Sequence, residues 1–220
     1  MRQSYEARRR PAKAGLWRDK EDNMQKMVIA SYNPAKVNEF KLFMADWPFE
    51  IISLNDAKVI ENIEETGITF QENALIKAKL IQKVTELPTL ADDGGMEIDA
   101  LSGEPGVHSR RWKGYEMTDQ EMVDYTLERL NGVPREKRTA RLKLVLCCIM
   151  PGQEPIFSDG AIEGIITEKQ ETALIVGYPF RSIMFIPQFN KMFSELSETE
   201  HRSLNQRVLA LNKLRVQLGI

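Results

Sequence analysis

Three groups of residues in this chain have the types and spacing that phosphate and metal chemistry needs. The first is Ser31-Tyr32-Asn33-Pro34-Ala35-Lys36. Asn33 is suited to cap a helix that begins with Pro34, a position where proline's missing N–H is not needed. The free amides and dipole of that helix start, with Ser31 and Lys36 beside them, would attract a triphosphate. Capped helix starts are common, so the stretch also fits an ordinary strand-to-helix junction. The second group is acidic. Glu72 falls in the first turn of an expected helix, and Asp92-Asp93-Gly94-Gly95 reads as a turn at a strand end. Three carboxylates could then converge on a hard cation such as Mg²⁺, which takes one or two carboxylates, waters and phosphate oxygens. The same residues equally fit a solvated turn and a helix-dipole partner. The third group lies in Gly103 to Gly114, where Arg110 and Arg111 stand next to Trp112. Two guanidiniums can grip phosphate in a bidentate fork, although a solvated surface loop has the same composition.

The elements that must position these groups follow from periodicity. A strand over Met27 to Ser31 leads into a helix with Val37, Phe40 and Met44 on one face, then a short strand from Phe49 to Ser53. A helix is expected from about Gln71 to Thr85, with Ala74, Leu75 and Ala78 on its apolar stripe. Short strands at Thr89 to Ala91 and Met96 to Ala100 flank the acidic turn, and Thr118 with Glu121 opens a helix that ends near Asn131-Gly132. Alternation through Ala140 to Leu146 and Ile156 to Ile166 predicts a long hairpin around Pro151-Gly152. A last helix opens on Ser197 and Glu200 and carries Leu204, Val208, Leu211 and Leu218.

Composition narrows the class of ligand. A chain of 220 residues with 42% hydrophobic content can bury one substantial core. A formal net charge of −2 gives no broad pull toward nucleic acid or an anionic membrane, so the ligand is expected to be small. The only two cysteines, Cys147 and Cys148, are adjacent in an apolar run and read as reduced core residues, which suits the cytosol. No apolar stretch reaches the length of a membrane span. Residues 1–23 are polar and basic and read as a flexible tail, with the folded domain over 24–220. His108 and His201 lack the neighbours of a nucleophilic triad.

In order, Ser31-x-Asn33-x-x-Lys36-x-x-Glu39, Thr69 to Ala74, Ala91-Asp92-Asp93-Gly94-Gly95 to Leu101, and Gly103 to Trp112 resemble the Ham1, or inosine triphosphatase, family over about Met27 to Leu214. The resemblance implies an α/β fold with a long mixed sheet, two lobes enclosing a cleft as in Ham1 and Maf-like proteins, and a homodimer. It implies a nucleoside triphosphate pyrophosphatase that cleaves ITP, dITP and XTP to monophosphate and pyrophosphate, with Mg²⁺ or Mn²⁺ as cofactor and no stable nucleic-acid partner. Carried over, Glu72, Asp92 and Asp93 hold the metal, and Asp93 activates water. Ser31, Asn33, Lys36 and Arg111 hold the triphosphate, and Phe180, Arg181, His201, Gln206 and Arg207 meet the base. Several positions depart from the pattern. Gly94 stands where the family has Ser, Arg181 where it has Asp, His201 where it has Lys, and Asn205-Gln206 where it has Ser-His. The Gln206 amide can suit either an oxo or an amino base, which predicts relaxed base choice. These departures leave open a catalytically weakened nucleotide-binding protein on the same scaffold. A Maf-like pyrophosphatase and a nucleic-acid module resting on the basic tail are the remaining alternatives.

Overall fold

A computed structural model describes residues 24–220, so the expected tail lies outside the described residues. Strand β1 (Gln25–Ile29) is buried at Met27, Val28 and Ile29 alike, because helices cover both faces of the parallel part of the sheet. It runs into helix α1 (Pro34–Phe43), whose cap is the expected one. Asn33 Oδ1 accepts from Ala35 N at 2.9 Å and Lys36 N at 3.4 Å, an arrangement worth about 1 kcal/mol. Strand β2 (Phe49–Ile52) and helix α2 (Phe70–Thr85) follow, the latter capped by Thr69 and buried along Ala74, Lys77, Ala78 and Ile81.

Strand β3 (Thr89–Ile98) overturns one expectation. Asp92-Asp93-Gly94-Gly95 is not a turn between two short strands; it lies in the middle of one continuous strand. The stretch pairs antiparallel with Leu146 to Lys143 of β4 (Thr139–Ile149). Asp and Gly signal turns because they tolerate unusual local geometry, but here the carboxylates are compensated from elsewhere in the fold and glycine answers a close approach. A Cβ on Gly95 would stand 2.4 Å from Ser109 Oγ and 2.5 Å from the Gly106 carbonyl oxygen.

The hairpin forms as predicted between β4 and β5 (Ile156–Ile166). The sheet has seven strands in the order β2-β1-β3-β4-β5-β6-β7, where β6 is Met184–Ile186 and β7 is Lys191–Met192. It is parallel across β2, β1 and β3 and antiparallel beyond. One lobe packs α1 and the C-terminal helix on one face and α2 on the other, so that Cys148 and Cys147 face separate apolar cores. The second lobe gathers the far ends of β3 to β5, helix α3 (Asp119–Arg129) and the segment around Phe180 into a third core. The strands β3, β4 and β5 are common to both lobes.

The last helix is broken, contrary to expectation. Helix α4 (Glu198–Leu204) and helix α5 (Gln206–Leu218) meet at Asn205, whose extended backbone (ψ 122°) stops one helix while its side chain caps the next by accepting from Arg207 N at 2.8 Å. The break lets Ala210, Leu211, Leu214 and Leu218 pack on the sheet while the start of α5 reaches the cleft. Gly160 of β5 permits this approach, since a Cβ there would lie 2.1 Å from the Gln206 carbonyl oxygen.

Candidate active site

Between the lobes, a cavity of about 420 Å³ lies above the middle of β3. Ser31, Asn33 and Lys36 from the start of α1 line it, with Asp92 and Asp93 from β3 and Gln206 and Arg207 from the start of α5. The mouth of α1 therefore does face the aspartate pair: Lys36 Nζ lies 3.1 Å from Asp92 Oδ2. Ser31 Oγ accepts from Asn33 N at 3.2 Å and fixes the turn into the helix.

The two aspartates differ sharply in surroundings. Asp92 is fully buried, and its Oδ2 also meets Arg207 at 3.2 Å. Burial would raise its pKa, but Lys36, Arg207 and Lys77 together hold it well below the usual carboxylate range. Asp93 has Lys77 at 3.3 Å as its ion-pair partner, and Lys77 itself is shared with Glu65 at 2.6 Å. Burial raises the Asp93 pKa, and Lys77 offsets only part of that, with Glu65 adding repulsion. Lys77 stays charged in spite of burial, because Asp93, Asp92 and Glu65 surround it. Asn73 stands close enough to favour ionised Asp93, yet among the described residues the buried Oδ2 completes no hydrogen bond.

Not all the expected residues meet here. Glu72 is exposed at the first turn of α2, where its Oε2 accepts from Ile68 N at 2.7 Å, and it lines a second cavity that excludes Asp92 and Asp93. Of the three expected carboxylates Asp92 and Asp93 meet at the cavity and Glu72 does not, while Glu65, joined to Asp93 through Lys77, stands there as well. Among the described residues no cluster of three or more His, Cys, Asp or Glu side chains is arranged to hold a metal ion. A pair fits Mg²⁺ better than a crowd of carboxylates would, since that ion keeps waters and phosphate oxygens in its shell. Asp93 Oδ2 and Asp92 Oδ1, both buried without a hydrogen bond among the described residues, are the atoms such a cation would relieve.

Glu65 was missed because it sits in an irregular segment without periodicity. The signal that could have found it is Lys77, a lysine on the buried stripe of α2 that requires an acidic partner. Arg111 also falls outside the cavity, its side chain more than half exposed and 3.9 Å from Glu65. Its neighbour Arg110 lines the cavity instead and is held by Asp119 at 2.6 Å. The other oxygen of Asp119 accepts from Gly177 N at 2.6 Å, which ties this loop to the segment expected to meet the base.

In that segment Phe180 packs in the second lobe's core, and both it and Arg181 line the cavity. Arg181 NH2 donates to Glu39 Oε1 at 3.1 Å, and its guanidinium carbon lies 3.7 Å from the centre of the Tyr178 ring. Glu39 Oε2 accepts from Arg207 at 2.8 Å, so one carboxylate serves two arginines. Burial pushes the Tyr178 hydroxyl up to about 12, which keeps it a neutral donor. His201 is not part of the cavity lining; it packs edge-on against Phe193 and lies 3.3 Å from Asn205 Nδ2.

Comparison with known proteins finds one family along most of the chain. The family model described as the Ham1 family matches residues 27–217. The dITP/XTP pyrophosphatase of Bacillus subtilis is 37% identical over 191 residues, covering 87% of this chain and 96% of that protein. Among solved structures, a HAM1 protein from Coxiella burnetii superposes with a TM-score of 0.79 at 33% identity, covering 89% of this chain and 99% of that one. The Ham1 protein of Staphylococcus aureus gives a TM-score of 0.77 at 30% identity, with 89% and 98% covered.

Proposed function

This chain belongs to the Ham1 family, and on that footing we propose that it hydrolyses aberrant purine nucleoside triphosphates (ITP, dITP, XTP) to monophosphate and pyrophosphate. The observation that carries the reading is a buried, incompletely satisfied carboxylate, Asp93, facing the Asn33-capped start of α1 and Lys36 across one cavity. Lys36 and the Asn33 side-chain amide, at the positive end of the α1 dipole, bind the triphosphate, and Ser31 orders the turn that presents them. Asp93, with its pKa raised by burial, accepts the proton of the water that attacks the α-phosphorus. Asp92 remains ionised and holds Lys36 and Arg207 in place. Asp93 and Glu65 would hold Mg²⁺, which would supply charge neutralisation at the phosphate oxygens. The enzyme works in the cytosol as a homodimer.

The test is pyrophosphate release from ITP, XTP and ATP with and without Mg²⁺. Pyrophosphate release that requires Mg²⁺ and falls at least about 100-fold in Asp93→Asn is the expected result. Release of orthophosphate, or full activity in Asp93→Asn, overturns the reading.

A further inference from the structure

Two side chains meet at the break in the last helix, and the chemistry of their contact leaves only one protonation state for one of them. Asn205 Nδ2 lies 3.3 Å from His201 Nε2. The Asn205 amide is not free to turn. Its Oδ1 accepts from Arg207 N at 2.8 Å and caps α5, so Nδ2 is the atom that faces the ring. An amide nitrogen donates and does not accept, which makes Nε2 the acceptor and puts the ring proton on Nδ1. His201 is therefore held as one neutral tautomer. Its surroundings act the same way. Burial lowers its pKa, Arg181 and Arg207 lower it further, and Glu39 opposes them only in part. Phe193, edge-on against the ring, brings no charge. Asn205 is fully buried, so water does not replace a lost partner there.

We infer that His201 is a positioning residue for the reaction: as the neutral imidazole it locks the Asn205 amide in the orientation that caps α5 and sets Arg207 at the cleft, and its protonation releases that lock. The inference rests on the nucleotide reading above and adds to it a dependence on pH. A proton on Nε2 turns an acceptor into a donor and sets it against the hydrogens of Nδ2. The amide then has two courses. It keeps Oδ1 on Arg207 N and leaves two donors opposed, or it turns, gives Oδ1 to the imidazolium and leaves Arg207 N uncapped. Both unsettle the first turn of α5. Arg207 carries the effect into the cleft, since it holds Asp92 at 3.2 Å and Glu39 at 2.8 Å. Arg181, from the turn over Pro179–Ser182, and Arg207, from α5, repel a further cation. Glu39 of α1 attracts it but is already shared by those two arginines. On α4 itself, Glu200 is bound to Lys191 and Arg202 is exposed. The lock is complete above the ordinary histidine value of 6.5 and is lost as pH falls through the lowered one. The family pattern has Lys and Ser at these two positions. Lysine has no acceptor and serine has no amide to turn, so the lock belongs to this chain's pairing of His201 with Asn205.

The experiment measures kcat/KM for ITP with Mg²⁺ from about pH 8 to about pH 5.5 in the wild type, Asn205→Ser and His201→Gln. Nitrogen NMR follows the two histidine rings in the same proteins without nucleotide. His201→Gln keeps an acceptor for Asn205 Nδ2 and takes no charge, and Asn205→Ser keeps a cap that no longer depends on the ring. The wild type should lose about fivefold more of its kcat/KM across this range than either variant. Any acid limb from Asp93 is common to all three and cancels in the comparison. The wild-type His201 ring should show the Nδ1–H tautomer and a midpoint below 6.5, which should rise toward 6.5 in Asn205→Ser. A role in folding alone would change melting temperatures and leave the shapes of the pH profiles equal. Equal profiles, or an Nε2–H tautomer in the wild type, overturn the inference while leaving hydrolysis in place. Without any pyrophosphate release the proposed hydrolysis fails by itself, and ITP affinity against pH in the three proteins decides the inference: a difference of the stated size supports it, and equal dependence overturns it.

Discussion

Replacing Asp92 by Asn should destabilise the protein far more than the same change at Asp93, one residue along the same strand. Asp92 Oδ2 is shared by Lys36 at 3.1 Å and Arg207 at 3.2 Å, and Arg207 is almost completely buried. Removing one partner of a buried ion pair costs about 3–5 kcal/mol. The lower end applies, because Arg207 keeps Glu39 at 2.8 Å and Lys36 is a quarter exposed to water. With about 3 kcal/mol lost and roughly 2–4 °C per kcal/mol for a chain of this size, the melting temperature of Asp92→Asn should fall by roughly 6–12 °C. Asp93 is different, since burial already disfavours its charge and Lys77 retains Glu65. Asp93→Asn should stay within about 1 kcal/mol of the wild type. Thermal and urea unfolding of the three metal-free proteins at pH 7 would decide the matter. An Asp92→Asn protein that melts within about 2 °C of the wild type, or an Asp93→Asn protein that is the less stable of the two, would refute the assignment of Asp92 as the structural member of the pair.

Other consequences are open to direct measurement. Glu72→Gln should leave the Mg²⁺ requirement nearly unchanged, because among the described residues its carboxylate bonds only the Ile68 amide, whereas Glu65→Gln should raise the half-saturating Mg²⁺ concentration at least about tenfold. A metal titration followed by activity checks both. Gly95→Ala would press its Cβ on Ser109 and the Gly106 carbonyl, and urea unfolding should show a loss of about 1–3 kcal/mol. Lys191 and the Ser197 N–H hold Glu200 at a pKa of about 2. Its contribution to α4 should therefore be complete above the ordinary value of 4.5 and be lost as pH falls toward 2. A carboxyl-carbon NMR titration with a midpoint near 4.5 would contradict that.

What was legible in the sequence was local. Asn33 and Pro34 announce α1 because capping chemistry involves residues two or three apart, and the Thr118 and Ser197 boxes work the same way. The hairpin of β4 and β5 is legible from alternation and one turn. The character of β3 was not, because the groups that make Asp92 tolerable mid-strand come from α1 and α5, and Arg207 is 115 residues away in sequence. Distance in the chain also hid Glu65, twelve residues from Lys77 and in no regular element. The break at Asn205 had a visible sign, an Asn suited to cap, but the apolar residues on either side of it suggested one continuous stripe. Arg110 and Arg111 could not be told apart by type; only the fold of their loop decides which one faces the cleft.

The strands β3 to β5 run through both lobes, and this separates the reaction from the choice of substrate. Asp93, the base proposed for bond cleavage, stands on a ladder that pairs ten residues of β3 with β4, where a shift of one position would disturb every rung. The groups expected to meet the base stand on a short turn around Arg181 and on the first residues of a helix, outside that ladder. Mutational drift at those peripheral sites can retune selectivity while the hydrolytic apparatus is inherited intact, so a lineage built on this architecture can diversify its substrates without reinventing its chemistry.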